Sequence, residues 1–417
     1  MSNKLKGACL FAQSGGPTSV INASAYGVIK TALEAPEITK VYGAAHGITG
    51  TLHDTLYDLG EEDPAELKLL MNTPSSALGS CRYKIKEEKD LARILEIFKK
   101  YDIRYFFYNG GNDSMDTCLK VEGFLQKNNY DCRVIGVPKT IDNDLLGTDH
   151  CPGYGSAAKY IATSVAEVNR DAVVYDTGII VIVEIMGRHS GWLTGASALA
   201  GFAGSPPDLI YMPEIPFDTE AFLKKAERIY KEKNSCLVAV SEGIRDSDGC
   251  FISEAKASAT DGFGHEQLGG LAARLSNTVK QATGAKVRGI ELSLLQRCGA
   301  HLASQTDIDE AFLAGKSAVE YALSGESGKM VAFERAAGAA GYKCEIMMLP
   351  LDVCANKEKK VPREWINEAG DYVEQAFIDY ALPLVRGENT RTVENGLPRF
   401  ANLKKIRAAA PSFPTGD

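Results

Sequence analysis

The stretch YFFYNGGNDSMDTCLKVEGFLQ, residues 105–126, carries the pattern that decides the fold. It begins with the apolar, aromatic run Tyr105–Asn109, which is typical of a buried strand, and it turns at Gly110 and Gly111. Over Met115–Gln126, apolar residues recur at helical spacing with charged residues on the other face. A buried strand followed by an amphipathic helix is the repeating unit of a parallel α/β sheet, whose ligands collect at the carboxyl ends of the strands.

The same unit recurs along the chain, first as a predicted strand at Gly7–Ala12 and a helix at Ser19–Leu33. The sequence therefore predicts an α/β protein with mainly parallel sheets flanked by helices. Further predicted strands are Arg133–Pro138, Gly178–Ile185, Asp208–Met212, Cys236–Ser241 and Arg288–Leu294. Further predicted helices are Leu91–Lys100, Ala157–Asn169 and Thr219–Lys233.

Composition and charge favour small molecules as partners. Of 417 residues, 45% are hydrophobic and 24% are charged, which is ordinary for a globular protein. Fifty-four acidic against 46 basic residues give a net charge of -8, which opposes binding to nucleic acid or to an anionic membrane. The ten cysteines include no C-x-x-C pair, and no apolar run is long enough to span a membrane. We therefore expect reduced thiols and a cytoplasmic protein.

Two glycine-containing loops that follow predicted strands favour phosphate binding. In the first, Gly15 and Gly16 allow backbone N–H groups to approach an anion at a helix N-terminus, although a tight turn that needs glycine is an equal explanation. The second loop adds the amide of Asn112 and the carboxylate of Asp113, which suit magnesium or the orientation of a phosphate. A helix cap is the alternative explanation for Asp113.

The loop Pro138–Asp144, PKTIDND, carries the sharpest chemical signal. Its carboxylates Asp142 and Asp144 stand two positions apart, so one can ligate a hard cation while the other accepts a proton from a substrate hydroxyl. Lys139 adds the positive charge that phosphoryl transfer needs more than it needs covalent catalysis. The alternative is a solvated acidic turn with an exposed lysine.

Other strand ends offer further groups for a phosphorylated sugar. Arg188 follows one predicted strand and can bind a phosphate with its guanidinium fork, and Glu242 follows another and can accept hydrogen bonds from sugar hydroxyls. Arg288, Gln296 and Arg297 flank a third strand. Taken singly, each of these residues is also explained by a surface salt bridge or a helix cap.

A nucleotide-binding P-loop is not predicted. Gly315-Lys316-Ser317 resembles the end of such a loop, but Glu310 stands where its first glycine should be. Kinase and hydrolase signature patterns are absent from the sequence as well.

Seven motifs at these loops follow one another in a specific order. They are Gly15-Gly16 with Asn22, Ser80-Cys81-Arg82, Gly110 to Ser114, Pro138 to Asp144, Met186-Gly187-Arg188, Glu242-Gly243 and Gln296-Arg297. In this order, over roughly residues 5–355, they resemble the phosphofructokinase family. The resemblance implies two similar lobes with the active site in the cleft between them. The expected parts are a donor-binding lobe (1–152), a sugar-phosphate-binding lobe (153–295), a return to the first lobe (296–355) and a C-terminal helical extension (356–417).

The resemblance also implies a reaction and a set of site residues. The reaction is the reversible, magnesium-dependent transfer of a phosphoryl group from pyrophosphate to the 1-hydroxyl of fructose 6-phosphate, a step of glycolysis and gluconeogenesis, in a homodimer or homotetramer. The implied catalytic residues are Asp142 as the base, Lys139, Asp113 and Arg188. The implied donor-binding residues are Gly15, Gly16, Arg82, Gly111, Asp113 and Lys139, and the implied metal-binding residues are Asn112 and Asp144. The implied substrate-binding residues are Thr140, Ile141, Asp142, Met186, Gly187, Arg188, Glu242, Arg288, Gln296 and Arg297, with Arg288 reaching across a subunit interface.

Two positions favour pyrophosphate over ATP as the donor. ATP-dependent members of the family usually have glycine at the positions of Asp113 and Lys139, whereas pyrophosphate-dependent members resemble this chain. A carboxylate near the α-phosphate of ATP would repel the nucleotide, and a lysine can neutralise the phosphate that leaves.

Three positions depart from the family pattern, and alternatives stay open. Asn112 replaces an aspartate that many relatives use near magnesium, Ile179 replaces an arginine of ATP-using relatives, and Leu294 replaces a histidine or tyrosine beside the sugar. The alternatives are an ATP-dependent sugar-phosphate kinase, a more distant NAD or lipid kinase, a pyrophosphate enzyme that also accepts sedoheptulose 7-phosphate, and a phosphosugar-binding sensor without catalysis.

Overall fold

Buried apolar runs form the strands and amphipathic stretches form the helices of residues 5–174, 176–253, 268–336 and 341–410, which the computed structural model describes. The strands are β1 (Gly7–Gln13), β2 (Ile38–Ala44), β3 (Leu56–Asp58), β4 (Ile103–Gly110), β5 (Arg133–Pro138), β6 (Ile179–Ile185), β7 (Leu209–Tyr211), β8 (Ser235–Ser241), β9 (Val287–Glu291), β10 (Lys329–Arg335), β11 (Cys344–Pro350), β12 (Val393–Glu394) and β13 (Leu397–Pro398). The α-helices are α1 (Ile21–Glu34), α2 (Ile48–Leu52), α3 (Pro64–Leu69), α4 (Glu88–Lys100), α5 (Asn112–Lys127), α6 (Tyr154–Ala172), α7 (Trp192–Gly195), α8 (Thr219–Lys233), α9 (Leu271–Thr283), α10 (Leu295–Cys298), α11 (Gln305–Leu323), α12 (Leu351–Cys354) and α13 (Gln375–Ala381).

The first sheet has the strand order β11-β10-β5-β4-β1-β2-β3. Its inner pairs are parallel, and the edge strands β3 and β11 run antiparallel to their neighbours. Strands β10 and β11 come late in the chain but pair into this sheet, so the chain returns to the first sheet after building the second. The second sheet has the order β7-β8-β6-β9 and is parallel throughout.

Strand β4 shows why the parallel sheet needs a continuous apolar run. Phe106 and Tyr108 pack into the core on one face of the sheet, whereas Tyr105 and Phe107 pack into the core on the other face. All four side chains are at most 1% exposed. Full burial of a large apolar side chain stabilises a fold by about 1.5–3 kcal/mol, so the aromatic run contributes strongly to the first lobe.

Helices α1 and α11 cross at two glycines. A Cβ atom on Gly27 would lie 2.2 Å from the Phe312 carbonyl oxygen, and one on Gly315 would lie 2.0 Å from the Ser24 carbonyl oxygen. Both glycines are therefore required for this close packing. The position of Gly315 inside a helix also agrees with the rejection of Gly315-Lys316-Ser317 as a phosphate-binding loop.

The predicted helical extension over residues 356–417 is wrong for most of its described length. Residues 356–410 contain one α-helix, α13, of seven residues, together with short 3-10 turns and extended backbone. Several prolines and glycines interrupt helical pairing in this stretch. Its last described part instead lies along the edge of the first sheet, where Ala408 N donates to Leu56 O at 2.9 Å and Asp58 N donates to Ile406 O at 2.9 Å.

None of the helices formed by the described residues is both long enough and apolar enough to cross a membrane. All ten cysteines are free thiols, as the absence of paired spacings predicted.

Candidate active site

A cavity of about 1030 Å³ lies between the two lobes, where the carboxyl ends of strands from both sheets face each other. Loops after β1, β4 and β5 line it from the first lobe, and loops after β6, β8 and β9 line it from the second. The strand-end loops that the sequence analysis selected therefore surround one space.

Nearly every predicted site residue lines this cavity. The residues that do so are Gly15, Gly16, Arg82, Gly111, Asn112, Asp113, Lys139, Thr140, Ile141, Asp142, Asp144, Met186, Arg188, Glu242, Gln296 and Arg297. Gly187 and Arg288 are not among the lining residues. Gly187 lies behind the wall, where its N–H donates to Glu242 Oε1 at 3.4 Å, and Arg288 is exposed on β9.

The donor end of the cavity is built around the buried side chain of Lys139. Its ammonium group donates to the Gly16 carbonyl oxygen at 2.7 Å and would lie 3.2 Å from a Cβ atom on Gly15, whose φ is +76°. A Cβ atom on Gly16 would lie 3.2 Å from an Arg297 nitrogen and 3.5 Å from an Arg82 nitrogen. Glycine therefore leaves room for three cations to converge on one loop, an arrangement that suits a polyanion.

Burial and a neighbouring positive charge disfavour the charged form of Lys139. Burial, together with the nearby Arg82, lowers the pKa of Lys139 from 10.5 to about 8. A bound anion would reverse this effect because it stabilises the ammonium form. This end of the cavity therefore favours the binding of a phosphate.

Asn143 lies between Asp142 and Asp144 in the loop Pro138–Asp144. Its φ of +54° places it in the left-handed region, which asparagine tolerates better than most residues. Its buried side chain accepts from Cys151 N at 3.0 Å and donates to the Tyr380 hydroxyl at 2.7 Å. This anchored turn holds Asp142 and Asp144 at the cavity wall.

Burial makes both carboxylates harder to ionise than an exposed aspartate. Burial raises the pKa of Asp142, and the positive charges of Lys139 and Arg188 offset only part of that effect. Burial also raises the pKa of Asp144, to about 7, with further contributions from Asp142 and Glu358. Asp142 and Asp144 are therefore stronger proton acceptors than exposed aspartates.

The acceptor end combines a carboxylate with backbone groups of the second lobe. Met186 N donates to Gln296 Oε1 at 3.2 Å, and Ser190 Oγ donates to the Asp142 carbonyl oxygen at 3.1 Å. Burial and the nearby Asp142 raise the pKa of Glu242 to about 7. Polar groups from both lobes thus meet around Asp142.

Two pairs that the sequence reasoning missed also line the cavity. Lys84 forms a 2.9 Å salt bridge with Asp113, and the hydrogen bond to Asp113 raises the pKa of Lys84. Lys84 stands two residues after Arg82, so alternation along an extended segment was a usable signal. His189 Nδ1 donates to Glu358 Oε1 at 2.8 Å, and no local pattern connects these two residues.

Comparisons with known proteins agree with this geometry. A family model described as phosphofructokinase matches residues 8–322. A pyrophosphate–fructose 6-phosphate 1-phosphotransferase of Xanthomonas campestris is 46% identical over 97% of this chain and 97% of its own. One of Halomonas elongata is 44% identical over 95% of this chain and 96% of its own. The crystal structure of a pyrophosphate-dependent phosphofructokinase from Marinobacter aquaeolei matches 97% of this chain and 98% of its own, with a TM-score of 0.88 and 42% identity.

Proposed function

The chain belongs to the phosphofructokinase family, and from this premise we propose that it transfers a phosphoryl group from pyrophosphate to the 1-hydroxyl of fructose 6-phosphate. The products are fructose 1,6-bisphosphate and phosphate, and the reaction is reversible. The observation that carries this proposal is that the carboxylate of Asp142 lines the same cavity as the cations Lys139 and Arg82. In-line phosphoryl transfer requires a proton acceptor beside the attacking hydroxyl and positive charge beside the leaving group.

Asp142 serves as the general base. It takes the proton of the 1-hydroxyl as that oxygen forms a bond to phosphorus, while the bond between this phosphorus and the bridging oxygen breaks. The electron pair of the broken bond stays on the leaving phosphate, where Lys139 and Arg82 compensate the growing negative charge. The raised pKa of Asp142 favours its role because a base works best when its pKa approaches the working pH.

Asn112, the first residue of α5, and Asp144, in the loop Pro138–Asp144, fit a magnesium ion. Asn112 Nδ2 donates to Asp144 Oδ2 at 3.2 Å, while the buried Asn112 Oδ1 has no hydrogen-bond partner. The O and N atoms of an asparagine amide are assigned from such contacts, so a turned amide would present its oxygen beside the carboxylate. These are the hard oxygen ligands that Mg²⁺ prefers. When bound there, the ion would neutralise charge on the transferred phosphoryl group.

Residues at the acceptor end would hold the sugar phosphate. Arg188 and Arg297 supply positive charge for its phosphate, and Glu242 accepts hydrogen bonds from its hydroxyls. Because Arg297 also lies near Gly16 of the donor loop, we infer that it contributes to both ends of the reaction path.

Donor choice depends on Asp113 together with its partner Lys84. An unpaired carboxylate about 4 Å from a phosphate charge would cost about 4 kcal/mol at an effective dielectric near 20. The salt bridge to Lys84 reduces that repulsion, so we expect discrimination against ATP to be weaker than an isolated carboxylate would produce. When pyrophosphate binds, Lys84 is positioned to leave Asp113 and contact the donor.

The test compares initial rates with pyrophosphate and with ATP on fructose 6-phosphate at saturating Mg²⁺. We expect the wild-type protein to prefer pyrophosphate by at least about two orders of magnitude, which corresponds to about 2.7 kcal/mol. Asp113→Gly should narrow the preference because it removes the like charge, whereas Asp131→Gly, at an exposed site, should leave it unchanged. Comparable wild-type rates with the two donors would contradict the proposal.

We also infer a homo-oligomer. Arg288 is exposed on β9 outside the cavity of its own chain, although the family resemblance implies a substrate-binding role. In a homo-oligomer, Arg288 would reach the cavity of a partner subunit. Light scattering coupled to size exclusion tests this inference, and a stable, fully active monomer would contradict it.

A further inference from the structure

Residues 356–361, here called the connecting segment, join the two walls of the cavity. They follow α12 and lie beyond residues 8–322, the part of the chain that the family model matches. The segment contains the charged run Lys357 to Lys360.

The connecting segment is bound to the loop that carries Asp144. Lys359 N donates to the Asp144 carbonyl oxygen at 2.7 Å, and Glu358 pairs with Leu145 in an antiparallel bridge. The ammonium group of Lys359 donates to the carbonyl oxygens of Thr148 at 3.1 Å and of Asp149 at 2.7 Å. Lys359 therefore contacts the backbone of this loop at Asp144 and again at Thr148 and Asp149.

The same segment is bound to the loop after β6 in the second lobe. Trp192 Nε1 donates to the Lys359 carbonyl oxygen at 3.1 Å. Glu214 Oε1 accepts from Val361 N at 3.0 Å and from Gly191 N at 2.8 Å, so one carboxylate joins the segment to this loop. The side chain of Glu358 adds the contact nearest to the reacting groups, because its partner His189 directly follows Arg188.

We propose that Glu358 is a positioning residue that couples the metal-carrying loop of the first lobe to the sugar-carrying loop of the second through its contact with His189. Its backbone is paired with the first loop and its carboxylate with the second, so one residue contacts both the loop that carries Asp144 and the loop that carries Arg188. This inference rests on the proposed function, in which the two loops carry the donor and the acceptor.

The contact is too exposed to be explained by its contribution to stability. Both side chains are 39% exposed, and salt bridges at such sites typically contribute no more than about 1 kcal/mol. Positioning, in contrast, has a large effect on rate, since a displacement of about 1 Å between reacting groups can cost about 10² in turnover. A kinetic effect without a matching stability effect is therefore the signature of this role.

The test measures kcat, both Michaelis constants and the thermal midpoint for four variants. We expect Glu358→Ala to lower kcat by about 10- to 100-fold through loss of alignment, with both Michaelis constants and the midpoint nearly unchanged. Glu358→Gln should retain most of kcat, because its amide oxygen still accepts from His189. The matched controls are Lys357→Ala and Lys360→Ala, which remove charges from the same run and should behave like wild type.

A second measurement does not depend on activity. Amide hydrogen exchange of Glu358→Ala should increase at residues 186–191, where the contact with His189 is lost, and the two control variants should show no increase. An unchanged kcat in Glu358→Ala, a loss of kcat matched by Lys357→Ala, or unchanged exchange at residues 186–191 would each overturn the proposal. If wild-type protein does not turn over pyrophosphate at all, the proposed function fails, while the exchange experiment still tests the coupling.

Discussion

Two clusters of carboxylates in this molecule differ in what their neighbours do to the pKa values of their members. The cavity cluster consists of Asp142, Asp144 and Glu358, which line the space between the lobes. The buried network consists of Asp149 and Glu310 with His150 between them. His150 Nδ1 donates to Asp149 Oδ2 at 2.8 Å, and its Nε2 donates to Glu310 Oε2 at 2.7 Å.

The pKa values of Asp149 and Asp144 are shifted in opposite directions. In the buried network, burial raises the pKa of Asp149, but the hydrogen bond and charge of His150 and the charge of Arg335 outweigh it, so the pKa is lowered. Burial also opposes the charged form of His150, yet its two carboxylate partners raise its pKa. In the cavity cluster, the pKa of Asp144 is raised to about 7 by burial and by its acidic neighbours.

This difference in pKa distinguishes a structural network from a cluster that suits catalysis. His150 links Asp149, in the segment before α6, to Glu310 of α11, so the network has a structural role. In the cavity cluster, burial makes Asp142 and Asp144 good proton acceptors, as a reaction site requires.

The largest effect is expected from Asp142→Asn. Loss of the general base should lower kcat by about 10² to 10⁴, with the Michaelis constant for fructose 6-phosphate changed only a few fold. Stability should be retained or increased, because a buried charge with a raised pKa is removed. Steady-state kinetics and thermal unfolding measure both, with the exposed Asp131→Asn as control. Wild-type turnover in folded Asp142→Asn would remove this base from the mechanism.

His150→Leu should lower stability and largely retain kcat, which is the opposite of the effect expected for Asp142→Asn. It leaves Asp149 and Glu310 without their shared partner, and breaking a buried pair in this way costs about 3–5 kcal/mol. We expect a lower urea midpoint, while kcat per folded molecule at low temperature stays within the same order of magnitude. His53→Leu, at an exposed position, is the matched control. If kcat falls as far as in Asp142→Asn while stability is kept, the network belongs to the catalytic machinery.

The smallest effect concerns pH. Because the folded pKa of Asp144 is about 7 and its unfolded value is 3.8, the folded protein binds more protons than the unfolded chain between these values. Stability should therefore fall as pH rises through this window, and the thermal midpoint of the ligand-free protein should be lower near pH 8 than near pH 5. Asp144→Asn should flatten this profile, and Mg²⁺ with pyrophosphate should raise the midpoint near pH 8. A ligand-free midpoint that rises steadily over this range would contradict this account of the cavity cluster.

Local sequence predicted much of the architecture around the site. The aromatic run at Tyr105–Asn109 and the PKTIDND loop were recognisable because strands buried on both faces need continuous apolar residues, and ligand-binding loops follow strand ends. Strands β10 and β11 were missed, since their pairing with the first sheet is distant in sequence. The C-terminal stretch was predicted as a helical extension, but its described part contains one seven-residue α-helix and pairs with the edge of the first sheet.

The sequence by itself determined the α/β class, the order of the strand-end loops and the identity of the groups that those loops carry. These features depend on interactions between residues that are near one another along the chain. Only the tertiary structure decided that Lys84 pairs with Asp113 and that Glu358 reaches His189, 169 positions away. It also placed His150 between Asp149 and Glu310 and brought Glu358 near Asp144. Charges that share a site repel or attract according to distance in space, and the path of the folded chain alone sets that distance.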